Sequence, residues 1–184
     1  MRREVKIFNS RIDYSVEYRN VKYPRLEFRT GDLILILPEN YKDEKGLLKK
    51  HEKWIFRKQK AIESALKLSK KKNLDRKSLE ETKKIISKFC LENKEKINKI
   101  SFRNMKSKWA SCSKNGTLTF NKNLRFLPKN LIKYVVFHEI THLKEKKHNP
   151  KFWKLISREF KNYKAKEKDL FIYWFLIQKR QLNL

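Results

Sequence analysis

The sequence has little cysteine and no long apolar run. Only Cys90 and Cys112 occur among its 184 residues, far apart and outside any ligand-spaced pair, so a disulfide framework is not expected. The longest apolar run, residues 170–177, is too short to span a bilayer. No apolar segment follows the charged start of the chain, which argues against a secretory signal. We therefore expect a cytoplasmic protein without an integral membrane segment.

Acidic residues are also scarce. The chain has 20 Asp and Glu against 48 Lys and Arg, a formal net charge of +28 at pH 7. Such a positive field favours contact with nucleic acid, acidic proteins or anionic membrane surfaces. Most of the charge comes from lysine, whereas arginine, the better bidentate reader of base edges, is sparse. The composition therefore allows non-specific nucleic-acid binding through the basic surface and gives no sign of sequence-specific recognition.

The pattern HExxH occurs once, at residues 138–142, and a third histidine, His148, follows it. On a helix, residues four apart lie on one face and one turn apart, so His138 and His142 can direct their imidazoles at one point. This geometry suits a zinc ion. The alternative, two hydrogen-bonded histidines on a half-buried helix, leaves Glu139 and His148 without a role.

The surroundings of the motif favour a metal site. Residues 128–146 have the apolar spacing of a helix that packs deep in a domain, and Pro128 suits its first turn. Asn149 and Pro150 predict a second helix, as its N-cap and first residue. His148 therefore lies directly before a capped helix, where a third ligand could approach the metal from another direction. The alternative is an exposed loop histidine.

The residue types predict a hydrolytic reaction. Three neutral imidazoles leave Zn²⁺ with an open position, where the pKa of a bound water falls toward about 7. Glu139 is placed to accept a proton from that water and pass it to a leaving amine. The reaction predicted is hydrolysis of a polarised carbonyl, and a peptide bond is the group that suits it best. If His148 is not a ligand, Glu159 or Glu167 could complete the site as a downstream carboxylate.

A longer stretch, residues 103–153, resembles the YgjP-like metallopeptidases, which are related to the SprT-like and WLM zinc proteases. The family signature reads roughly R-x-x-K-x-R-W-G-S-C-S, then a strand and an apolar helix with H-E-L-x-H-L, then N-H-S-x-x-F-W. The corresponding residues here are Arg103, Lys106, Lys108, Trp109, Ala110, Ser111, Cys112 and Ser113, then residues 138–143, then His148, Asn149, Phe152 and Trp153.

The resemblance implies a zincin-like fold, with His138, His142 and His148 as zinc ligands and Glu139 as the general base. Lys108 stands where an arginine is usual, and Ala110 where a glycine is usual. A role that needs a guanidinium fork or a positive φ is therefore not implied at these two positions.

Arg103, Lys106 and Lys108 form a basic cluster before the motif. They could stabilise an oxyanion or hold a substrate carboxylate or phosphate near the metal. The alternative is a solvated strand face in a chain that is basic throughout, which we favour for the two lysines. Arg103 stays a candidate catalytic residue, whereas Trp109 is interpreted as a core residue.

The whole pattern predicts an α+β fold, in which an N-terminal antiparallel β-sheet and a long helix precede a zincin-like metallopeptidase core. Alternating apolar residues predict strands in the N-terminal part at residues 12–18, 26–28 and 33–37. Helical spacing follows at residues 43–71 and at 78–91, where Ser78 and Glu81 form a capping box. Further strands are predicted at residues 97–102, 108–111 and 117–121, the last as the edge strand that aligns a substrate.

We divide the chain at residues 1–72, the N-terminal sheet and helix, and 73–184, the catalytic region. His51, far from the motif, is interpreted as a surface residue. A zinc-dependent metallopeptidase acting on peptides or proteins is the favoured function. A metal-dependent nucleotide pyrophosphohydrolase and a non-catalytic nucleic-acid-binding module with a structural metal are the alternatives, and a fourth protein ligand would favour the last of these.

Overall fold

The computed structural model describes residues 2–29, 31–69, 74–93 and 95–182. The chain forms two compact units, one made of Met1–Lys71 with Gln178–Leu184 and the other of Lys72–Ile177. The predicted domain boundary at 72/73 lies outside the described residues. In the described part, no helix has the length and apolar character needed to cross a membrane.

The first unit contains a four-stranded sheet of order β1-β2-β4-β3. Its strands are β1 (Arg2–Ile7), β2 (Ser10–Tyr18), β3 (Arg25–Arg29) and β4 (Asp32–Leu37). The predicted antiparallel sheet is wrong at one pair, because β2 and β4 run parallel. The reason is that β4 enters between β2 and β3 as a central strand. Its apolar residues are buried along the whole strand, as in strands covered on both faces.

The predicted long helix is two helices, α1 (Glu44–Lys50) and α2 (Glu52–Ser69), which are separated at His51. His51 caps α1, and its carbonyl accepts a hydrogen bond from the backbone N–H of Ile55 at 2.9 Å. Leu47, Leu48 and Ile55 belong to the same core cluster. The apolar spacing therefore continues across the break, which is why the sequence predicted one helix.

The second unit carries the motif. Its elements are α3 (Leu79–Leu91), β5 (Lys99–Arg103), β6 (Ala110–Cys112), β7 (Thr117–Asn121), a 3₁₀ turn (Lys122–Phe126), α4 (Lys129–Lys144), α5 (Pro150–Glu159) and α6 (Tyr163–Leu182), the last of which ends in the first unit. The Ser78 hydroxyl accepts a hydrogen bond from the Glu81 backbone N–H at 3.0 Å, which confirms the predicted N-cap of α3.

The three strands of this unit have the order β5-β7-β6. β7 pairs with β5 in parallel and with β6 in an antiparallel hairpin, so its predicted role as an edge strand is wrong. Leu118 and Phe120 of β7 are fully buried, as expected of a central strand. The edge strand next to the motif helix α4 is β6. Its first residue, Ala110, has no positive φ, so the missing glycine causes no backbone strain here.

Helix α4 runs through the core of the second unit. Ile132, Tyr134 and Val136 are completely buried, and the cluster around them includes side chains from α3, α5 and β7. A helix buried on most of its surface is held rigidly by packing. The side chains that α4 directs out of the core therefore have well-defined positions.

Candidate metal centre

Helix α4 brings two imidazoles of the motif together. The Nε2 atoms of His138 and His142 lie 3.0 and 3.1 Å from Nε2 of His148, which comes from the loop after the helix. One nitrogen from each of the three rings falls within 4.8 Å of the others. The structure thus gathers the three histidines that the sequence singled out.

The start of α5 holds His148 in place. The Asn149 side chain accepts a hydrogen bond from the Phe152 backbone N–H at 2.9 Å, and Pro150 occupies the first turn, as predicted. The His148 ring is stacked on Trp153, with centroids 5.7 Å apart and an interplanar angle of 25°. Trp153 stacks in turn on Tyr163. An exposed histidine is therefore fixed by a capped helix and an aromatic stack.

Phe152 forms the apolar floor of the cluster. Its ring is completely buried, and its centroid lies 4.9, 4.6 and 4.7 Å from those of His138, His142 and His148. Burial, together with the neighbouring imidazoles, lowers the pKa of His138 to about 3. Burial also lowers the pKa of His142. Both rings are consequently neutral at pH 7, the form that binds metal ions.

The opposite ring nitrogens of the two helical histidines face oxygen atoms. Nδ1 of His142 lies 3.0 Å from the Glu145 carbonyl oxygen, and Nδ1 of His138 lies 3.8 Å from Oε1 of Glu167. The Tyr134 hydroxyl donates a hydrogen bond of 2.5 Å to the same Glu167 oxygen. Such partners favour the tautomer with the proton on Nδ1, which leaves Nε2 free as a ligand.

These donors fit a zinc ion. Zinc–nitrogen bonds of about 2.0–2.1 Å in a tetrahedral site separate the nitrogens by about 3.3 Å, close to the 3.0 and 3.1 Å found here. Neither predicted carboxylate alternative belongs to the cluster. Glu159 faces Lys133 at 3.5 Å, and Glu167 faces the wrong nitrogen of His138. Among the described residues, the group therefore offers three protein ligands.

Glu139 lies on the same helix with its side chain almost fully buried, at 7% exposure. Burial raises the pKa of this carboxyl to about 7. The Lys108 charge and a hydrogen bond from the Cys112 backbone act in the opposite direction, because both favour the carboxylate. The side chain thus sits in an environment where it can gain and lose a proton near neutral pH.

Arg103 is not part of the histidine cluster. It ends β5, is exposed, and lines a hollow of about 310 Å³ together with Lys106, Lys108 and Ser111. The sequence interpretation of Lys108 as merely solvated is incomplete, because its charge acts on Glu139. Trp109 is partly buried and packs against the core, as predicted, with its ring 5.0 Å from that of Trp174.

The comparison with known proteins agrees with the motif. The family model for the YgjP-like metallopeptidase domain matches residues 65–171, more than half of the chain. The chain belongs to the YgjP-like metallopeptidase family. This confirms the resemblance drawn from the sequence, and the matched range includes all three clustered histidines and Glu139.

Two solved structures are also similar to this YgjP-like chain. The metallopeptidase zymogen of Methanocaldococcus jannaschii jannalysin is 34% identical over 53% of this chain and 95% of its own, with a TM-score of 0.40. The metallopeptidase zymogen of Pyrococcus abyssi abylysin is 29% identical over 49% of this chain and 83% of its own, with a TM-score of 0.37. No curated protein matches.

Proposed function

We propose that this protein is a zinc-dependent peptidase in which His138, His142 and His148 bind the metal and Glu139 is the general base. The observation that carries the proposal is the convergence of three Nε2 atoms, two of them from helix α4, which also carries the buried carboxyl of Glu139. A zinc ion bound there would polarise the scissile carbonyl and acidify a water. The proton transfers of the reaction would be carried out by side chains of this chain.

Glu139 is suited to move the proton. A general base is most effective when its pKa is near the working pH, and in the metal-free chain burial raises the pKa of Glu139 to about 7. Lys108 and the Cys112 backbone N–H favour its charged form, which is the one that accepts a proton. The carboxyl can then return the proton to the leaving amine, so that one residue serves as base and acid.

The ligand set favours catalysis over a structural role. Structural zinc sites have four protein ligands, whereas catalytic sites have three and keep one position open. The group in the described part of the chain has three histidines. This observation favours the peptidase over the module with a structural metal.

The strand next to the helix gives the substrate a place to align. β6 is an edge strand, and it contacts α4, which carries Glu139. An extended peptide can add to such an edge through backbone hydrogen bonds. The Cys112 backbone reaches Glu139 from this strand. A peptide paired with β6 would therefore run past the proposed base.

The test of the proposal is metal content and hydrolysis measured on the same preparation. We expect about one zinc per chain and cleavage of an unfolded protein substrate that stops on chelation and returns with zinc. Nucleoside triphosphates, assayed in parallel, should not be hydrolysed. Zinc-dependent release of pyrophosphate without cleavage of peptides would contradict the peptidase and favour the pyrophosphohydrolase.

A second prediction concerns the contacts behind His138. Tyr134→Phe removes the hydroxyl that donates to Glu167, and Glu167→Gln removes the charge facing Nδ1 of His138. Partners of this kind affect metal affinity about 10- to 100-fold. We expect about a tenfold weaker zinc affinity for each variant, because the Glu167–His138 separation of 3.8 Å is long for a direct hydrogen bond.

Competition with a chelator of known affinity measures this effect. Glu159→Gln is the matched control, since Glu159 pairs with Lys133 and lies outside the cluster. The double variant Tyr134→Phe/Glu167→Gln should be no weaker than Glu167→Gln, because the two side chains act through one oxygen. Additive losses in the double variant would show that Tyr134 acts on the site by another route.

A further inference from the structure

The loop between β5 and β6 has a fixed shape. The Asn121 side chain, 1% exposed at the end of β7, donates hydrogen bonds of 2.8 Å to the carbonyls of Met105 and Lys108. Its side-chain oxygen accepts a hydrogen bond from the Asn123 backbone N–H at 3.1 Å. Both polar groups of one buried amide are thus used, and two of the bonds hold this loop.

The fixed loop and the end of β5 together present three positive charges to one hollow. The hollow of about 310 Å³ is lined by Arg103, Lys106 and Lys108 with neutral residues, and no carboxylate lines it. No ion pair to these three cations is found in the part of the chain that the structure describes. Other cations of the same unit do pair with carboxylates: Lys77, Lys83, Lys133 and Lys144.

The hollow adjoins the proposed catalytic residues. Lys108 lines it and also acts on the carboxyl of Glu139. Ser111, another lining residue, belongs to the edge strand β6. A peptide aligned on β6 would therefore carry one of its groups into the hollow. The volume is at the small end for ligand pockets, about 300–1,000 Å³, which suits one side chain or a chain end.

We infer that this hollow binds a carboxylate of the peptide substrate, so that the enzyme favours an acidic group near the scissile bond. The inference rests on the proposed peptidase function and deepens it. The three cations can meet a carboxylate with charge-assisted hydrogen bonds. The small volume of the hollow and the edge strand beside it favour a group of a peptide over a nucleic-acid chain.

The experiment uses matched pairs of fluorogenic peptides and the zinc-loaded full chain. Each pair differs by Glu or Gln at one position near the cleaved bond, and a further pair differs by a free or amidated C-terminus. We expect kcat/KM about five- to tenfold higher for the charged member of one pair, since several partly exposed charge contacts add modestly. The pair that shows the preference identifies the source, an acidic side chain or a chain end.

Arg103→Gln/Lys106→Gln is the variant that tests the hollow. It should bring the ratio of kcat/KM between the two peptides of that pair close to one, while Lys84→Gln, an exposed lysine of α3, should leave the ratio unchanged. The preference should also weaken as salt is added. A wild-type ratio of one for every pair, or a ratio unaffected by the double variant, would overturn the inference while leaving the peptidase intact.

Binding measurements separate this inference from the proposed function. The zinc-loaded Glu139→Gln protein can be titrated with the same peptide pairs by fluorescence anisotropy, so that no hydrolysis is required. The inference is supported, even if cleavage is not observed, when the charged peptide binds more tightly and this difference is lost after Arg103→Gln/Lys106→Gln are added to the Glu139→Gln protein. Equal binding of the pairs together with charge-dependent binding of ATP or an oligonucleotide would overturn it in favour of a phosphate site.

Discussion

Glu139→Gln is expected to keep its zinc and to lose hydrolysis by about 10²–10⁴-fold. Glutamine has nearly the same shape as glutamate and can still accept the hydrogen bond from the Cys112 backbone, but it cannot take up a proton. The loss should appear in kcat rather than in KM, because the proton transfer belongs to the transition state. Initial rates on a peptide substrate, with zinc measured on the same sample, check this result.

The control for this variant is Glu159→Gln. It makes the same chemical change at an exposed carboxylate that pairs with Lys133. We expect its zinc content and turnover to match those of the unchanged protein. If Glu139→Gln retained full turnover, Glu139 would not be the base. If it lost zinc, the glutamate would act on the metal and not only on the proton.

The metal-free protein provides a second measurement of the same side chain. Burial raises the pKa of Glu139 from its ordinary value of 4.5 to about 7. The folded state therefore holds this proton more tightly than the unfolded state, and the contribution of this carboxyl to stability falls as the pH rises between these two values. The loss at pH 8 is on the order of 3 kcal/mol. Glu139→Gln should lack this pH-dependent loss. Urea unfolding should therefore find the metal-free variant more stable than the unchanged protein at pH 8 and equally stable at pH 4.

The sequence predicted the core of the candidate site because its geometry is local. Residues four apart on a helix lie next to each other regardless of the rest of the fold, and the apolar spacing of α4 predicted that helix clearly. His148 could be placed because Asn149 and Pro150 determine the start of α5. These parts of the site depend on contacts between near neighbours in the chain.

Parts of the fold that depend on distant pairing were less predictable. The alternation of β2 predicted a strand, but it could not show that β4 would lie parallel to it. The strand at Thr117–Asn121 was predicted correctly. Its central position could not be predicted, because the sequence does not show that β5 pairs with the edge of this strand opposite to β6. Strand β1 was not predicted, since its exposed, charged residues give little alternation.

The side chains that support the site were also missed. Tyr134 lies one turn before His138, so its helical spacing could have indicated a contact, but its partner Glu167 comes from another helix. Asn121 gave no signal, because a single asparagine at a strand end has many roles. Its hydrogen bonds to the Arg103–Lys108 loop exist only after the sheet has formed. Lys108 was assigned to the basic cluster, but its effect on Glu139 could not be recognised among so many other lysines.

Removal of the third histidine should nearly abolish zinc binding. We expect His148→Ala to weaken zinc affinity by more than about 100-fold, beyond the effect of losing a partner behind a ligand. His148 lies outside the helix, so its loss leaves two imidazoles that cannot surround the ion. The fold itself should persist, because this side chain is exposed, whereas Phe152 below it remains buried.

Thermal unfolding with and without zinc measures the change. A ligand that binds only the folded state adds about 2.7 kcal/mol of stability at 100 times its Kd, so zinc should raise the Tm of the unchanged protein and hardly that of His148→Ala. His51→Ala, at the histidine that caps α1, is the control and should keep the full zinc response. If His148→Ala kept the full zinc response as well, the third ligand would be a carboxylate. Glu167→Gln would then lose the metal entirely instead of binding it about tenfold more weakly, because Oε1 of Glu167 lies 3.8 Å from Nδ1 of His138.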